Sequence, residues 1–271
     1  MQLKSLFIVF VAGLATAGTS SLLAAPVPNK ALATKNSESV SRVAPLSRAI
    51  TPVRLGLATA LNAPAARGAR ATFLDSLALA KKRLFVPMKA PAFDVRLAAF
   101  RDAVQIFFSA YEQMRRDPAL ASERENVDRA IQDALSVLPA NDPTRPLLEG
   151  LWSIGAFERA ADRQESPRSR ESAYQAVLQG TVISVVAVVA SHYSNGKALS
   201  VANLASPLLA KSNPGQPEIL AWKSERDASL AKVIENARKP AEAERADARL
   251  NSAIATLRAL IVDLETSLLR G

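Results

Sequence analysis

The sequence has no cysteine, one histidine, no Asn-x-Ser/Thr site and no glycine-rich phosphate loop. Without cysteine there are no disulfides, thiol nucleophiles, iron–sulfur clusters or cysteine-ligated zinc, so the fold must rest on burial alone. The missing Asn-x-Ser/Thr pattern removes N-glycosylation as a source of solubility. His192 is the single imidazole, and no P-loop, dinucleotide fingerprint, EF-hand loop or zinc motif occurs. The residues therefore designate no catalytic, cofactor-binding or metal-ligating position.

What is present begins with the first residues, "MQLKSLFIVFVAGLATAG". One positive charge, a short apolar stretch from Leu6 to Leu14 and then small residues form the layout of a secretory signal peptide over 1–17. The apolar stretch is shorter than the roughly 20 residues a membrane-spanning helix needs. Ala15-Thr16-Ala17 favours cleavage after Ala17, with Ala25 as the alternative. The expected localisation is extracellular.

The net charge of +9 is unevenly spread. Residues 26–71 hold seven basic side chains and one acid, whereas 72–271 hold 26 basic and 24 acidic. The basic character belongs to one end, so it does not predict specific nucleic-acid binding. Residues 18–71 carry dispersed prolines and little periodicity, and are predicted to be a disordered basic leader or a pro-segment. Lys82-Arg83 is a dibasic cleavage candidate and Arg115-Arg116 a second, although both pairs read more simply as exposed helix charges.

From residue 72 onward the apolar positions follow helical spacing. Phe73, Leu77, Ala80 and Leu84 form one stripe, with Thr72 as its expected cap. Leu97, Phe100, Val104, Phe107, Tyr111 and Met114 form another, which Pro118 ends. Ser122 to Glu125 reads as a capping box ahead of Val127, Ile131 and Ala134. A helix from near Asp142-Pro143 carries Leu148, Leu151, Trp152 and Ile154. Ile219, Leu220, Trp222, Leu230, Val233 and Ala237 suggest a further one. Leu250, Ile254, Leu257, Ile261, Leu264 and Leu268 keep a strict 4-3-4-3-4 spacing. The sum is an all-α, multi-helix bundle of about seven helices, a single domain over 72–271. Intramolecular packing of these stripes implies a monomer.

Residues 180–196, "GTVISVVAVVASHYSNG", are the exception to amphipathicity. Six β-branched residues between Val182 and Val189 favour a strand by propensity. A lone strand would leave its amides unpaired, however, and every neighbour is helical. The expectation is a helix with no wet face, at the centre of the bundle. His192 adjoins Ser191 and Ser194, but side chains so close along a helix do not face each other. It reads as a histidine at a helix C-terminus.

Other charged clusters also read as structural. Glu242, Glu244 and Asp247 lie among Arg245 and Arg249 and look like ion pairs along a solvated face. Glu123, Glu125 and Asp128 suit a helix N-terminus. Tyr111 and Trp152 belong to core stripes. The composite resembles secreted, cysteine-free helical proteins in style only. It implies an effector-like interaction protein that binds a partner protein. Binding of lipid or a hydrophobic surface is the first alternative, and an all-α enzyme using carboxylates the second.

Overall fold

The computed structural model describes residues 48–84, 92–161, 167–190, 193–194, 197–198 and 239–270, with isolated positions between 221 and 235. Among these residues the architecture is all-helical. The signal-peptide region, residues 18–47, His192 and the apolar positions from Ile219 to Ala237 lie outside the described residues.

The first finding corrects the extent of the leader. Residues 48–71 belong to the packed body, as a short turn, helix α1 (Thr51–Asn62), a second turn over Pro64–Ala66 and the start of α2 (Arg67–Leu84). Val53, Leu57 and Leu61 recur every four residues and are buried, with Ile50 just ahead of them. Pro52 and Pro64 do not break this segment. Each stands at the first positions of a helical turn, where the missing amide has no partner to lose. The described body therefore includes residues 48–71, which were expected in the leader.

In α2 the predicted stripe of Phe73, Leu77, Ala80 and Leu84 is buried. Thr72 is inside the helix, and its hydroxyl donates to the Gly68 carbonyl (3.2 Å) instead of capping. The stripe packs on α3 (Phe93–Arg116), where Phe100, Val104, Phe107, Phe108 and Tyr111 are closed from water. Phe73 meets Phe107 edge to face, with centroids 6.3 Å apart. Each such side chain contributes roughly 1.5–3 kcal/mol by burial.

The expected capping box is not used. The chain turns at Pro118–Leu120, where the Asp117 carboxylate accepts the Ala119 amide (2.9 Å), and runs directly into α4 (Ala121–Val137). Ser122 is already helical at that point. The α5 helix (Arg145–Ala161) starts as expected, the Asp142 carboxylate accepting the Thr144 amide at 2.8 Å.

The Val-rich run is helical, as part of α6 (Pro167–Ala190), and Val182, Val185, Val186, Val188 and Val189 are all buried. Its principal neighbours are α5 and α3. No described helix is long and apolar enough to cross a membrane. Close packing here depends on Gly150, because a Cβ there would lie 2.5 Å from Phe108 Cζ and 3.0 Å from Val185 Cγ2. Beyond α6 a two-residue antiparallel pairing joins Tyr193–Ser194 (β1) to Lys197–Ala198 (β2). The last helix, α7 (Pro240–Arg270), buries Leu250, Ile254, Leu257, Ile261, Leu264 and Leu268, the full predicted stripe. It borders α1, α2, α3 and α6.

Candidate functional site

Charged side chains converge inside the body at one place, the junction of α3, α4 and α5. Arg115 extends the α3 stripe one turn beyond Tyr111, so its guanidinium enters the interior and is 2 % exposed. The side chain of Asp128, on α4, receives Nη1 at 2.6 Å and Nη2 at 3.2 Å, a two-pronged contact. Glu158, on α5 one turn past Ile154, takes Nε at 2.6 Å. Nη1 also donates to the Tyr111 hydroxyl (3.1 Å). Arg124 closes the other Glu158 oxygen at 3.1 Å and donates to the Asp117 carbonyl at 3.2 Å. The planar fork explains why arginine, and not lysine, serves three helices at once.

Gly155 makes the cluster possible. A Cβ at this position would come within 2.9 Å of Asp128 Oδ1 and 3.0 Å of Arg115 Cζ. Burial holds the Tyr111 phenol up at about 12, the positive field of Arg115 offsetting only part of that rise. For Arg115 itself burial works against the charge. Tyr111, Asp128 and Glu158 outweigh it, and the guanidinium stays firmly protonated.

A second network lies one residue further along α3. Arg116 reaches Glu112 (3.3 Å) on its own helix and Glu171 (2.9 Å) on α6, and stacks over the Tyr174 ring at 4.8 Å. Burial pushes the Glu112 carboxyl upward, against the pull of Arg116. Hydrogen bonds from Gln175 and then Arg116 push the exposed Glu171 downward.

The expected clusters fare differently. Lys82 and Arg83 are exposed as predicted, but Arg115 of the second dibasic pair is buried, since Asp128 and Glu158 neutralise it in the interior. Asp128 is likewise not merely a helix-start charge. Of the C-terminal group only Arg245 with Glu242 (3.4 Å) forms an ion pair along the solvated face. Asp247 instead crosses to Arg96 on α3, and Arg249 turns inward to the Ala190 carbonyl at 2.9 Å. Tyr111 is in the core as expected, and Trp152 packs partly buried against it. No group of three or more His, Asp or Glu side chains able to hold a metal ion occurs among the described residues.

The sequence carries a signal for the Arg115 cluster that spacing alone does not flag. A cation continues one apolar stripe at i+4 from Tyr111, and an acid continues another at i+4 from Ile154. Opposite charges on two buried faces call for each other. No protein-family model, curated protein or solved structure matches this chain.

Proposed function

We propose that the protein is a secreted, effector-like helical interaction protein that acts by binding a partner protein, without chemistry of its own. The observation that carries the reading is a second stripe on α7. Ala248, Ser252, Ala255, Ala259, Val262, Thr266 and Leu269 repeat the 4-3 spacing on the side opposite Leu250–Leu268. Val262 is 40 % exposed and Leu269 67 %. The charges beside them are drawn sideways: Arg258 to the Leu84 carbonyl, Asp263 to Arg54 and Glu265 to Lys81. The stripe between is uncharged, and its spacing suits a helix of a partner protein laid along it.

The enzyme alternative requires convergent acids open to a substrate. Asp128 and Glu158 converge, but guanidinium groups occupy both. The lipid alternative draws on the α1–α2 hairpin, whose residues 48–84 hold seven basic side chains and one acid. Arg54 and Lys81 among them pair with Asp263 and Glu265 of α7, and Arg70 donates to its Leu268 carbonyl.

A photo-crosslinker placed at Val262 or Leu269 of the full chain tests the proposal. One saturable protein adduct is expected from these sites and none from the exposed Gln132 of α4. Equal labelling from all three contradicts it. Sedimentation with anionic vesicles, in place of a protein adduct, would favour the lipid alternative.

A further inference from the structure

Away from the buried cluster, a cavity of about 110 Å3 opens where the C-terminal end of α6, the first half of α7 and the α4–α5 connection meet. Pro143, Pro146, Val188, Val189 and Ala253 give it a mainly apolar lining, and Arg249 stands in its wall. Arg249 differs from Arg115, Arg116 and Arg124, which meet carboxylates. Its Nη2 donates to the Ala190 carbonyl, the free end of α6, but no carboxylate pairs with it. Its Nε is buried and has no hydrogen-bond partner. Burial accordingly pulls its proton affinity down, with the more distant Glu242 opposing.

A buried N–H on a cation without an anion is costly to leave unmet. The Nε of Arg54 and of Arg124 is also buried without a hydrogen-bond partner, but each of these guanidinium groups is paired with a carboxylate. Arg115 is answered by two carboxylates, and Arg116 by two more. We propose that this cavity is a binding site for a small organic anion, a short unbranched alkyl carboxylate whose head meets Arg249 and whose tail fills the apolar lining. Guanidinium and carboxylate match in charge and shape. An apolar cavity of about 150 Å3 accommodates benzene, so this one has room for a tail of roughly four carbons. Asp142 also lines the space, with one oxygen held by the Thr144 amide. Its charge confines the ligand's head to the Arg249 side. The site is independent of the outer α7 stripe and of any protein partner.

The test is a titration of the full chain with sodium pentanoate, followed by NMR at the methyl groups of Val188 and Val189. Saturable shifts are expected, with pentanol and pentylammonium binding at least tenfold more weakly. Arg249→Gln removes the cation and Ala253→Leu fills the space, and each should weaken pentanoate binding at least tenfold. Because Arg249 also holds the end of α6, Ala253→Leu serves as the variant that keeps that contact. Shifts that do not saturate, equal binding of pentanol, or undiminished binding in either variant would overturn the assignment.

Discussion

Arg115 Nη1 donates to the Tyr111 hydroxyl across 3.1 Å, one turn back on the same helix, and the two side chains are closed from water together. Burial, opposed in part by Arg115, commits the phenol to its neutral form. Its folded-state value stands at about 12 against an ordinary 10.0. A raised value means that the stabilising difference is intact below pH 10 and is lost as pH climbs through the folded value. Two units correspond to about 3 kcal/mol. Tyr111→Phe keeps the ring and cannot ionise. Urea unfolding between pH 9 and pH 12 should show the wild type losing about 2 kcal/mol more than Tyr111→Phe.

Gly150 sets a second expectation, in which two effects oppose each other. Alanine in a helix interior is favoured over glycine by roughly 0.5–1 kcal/mol. A Cβ at this position would, however, sit 2.5 Å from Phe108 Cζ and 2.6 Å from Cε2. Ring and helix must move apart, at a cost of about 1–3 kcal/mol that exceeds the gain. Gly150→Ala should lower the urea midpoint, and Phe108→Leu introduced beside it should recover part of the loss. An unchanged midpoint in Gly150→Ala would show that α3 and α5 separate freely.

The Lys82-Arg83 site gives a third. Both residues are exposed at the end of α2, so a protease can reach the bond after Arg83. A pro-segment removed there would take α1 and α2 with it. The remainder would lose Phe73, Leu77 and Ala80 from the core and leave Asp263 and Glu265 without Arg54 and Lys81. A fragment beginning at Leu84 should therefore lack the cooperative urea transition of the full chain, measured by circular dichroism at 222 nm. Retention of that transition would restore the pro-segment reading.

The helices were legible in the sequence where burial is one-sided. The 4-3 stripe from Leu250 to Leu268 and the stripe from Leu97 to Met114 appear in the structure at the predicted positions. The Val-rich run shows why propensity yields to context. Its β-branched residues lie in a helix that packs against α3, α5 and α7. The start of the body was less legible. Pro52 and Pro64 mimic a disordered leader in composition, and only their position at helix starts distinguishes them. Local chemistry also misled at Ser122, because the turn at Pro118 had already begun the helix and left the box nothing to cap.

The buried cluster was legible only in the charges that continue two apolar stripes, at Arg115 and Glu158. Arg115, Asp128 and Glu158 are separated along the chain by 13 and 43 residues from the arginine. Their meeting depends on how three helices pack and on Gly155 leaving room for it. No local pattern encodes that. The same holds for Arg249, which sits in a sequence of alternating charges like a surface residue and is turned inward by the end of α6.

The central claim is that the convergent acids of the interior are fastened by Arg115 and not held ready for a substrate. Unfolding free energies of Arg115→Met, and of a triple variant adding Asp128→Leu and Glu158→Gln, test it most directly. With the guanidinium gone, Asp128 loses its two-pronged contact and Glu158 keeps only Arg124, and the single variant should lose about 3 kcal/mol. Removing the stranded charges should return most of that loss. A single variant within about 1 kcal/mol of the wild type would mean that the acids tolerate freedom, and would contradict the account.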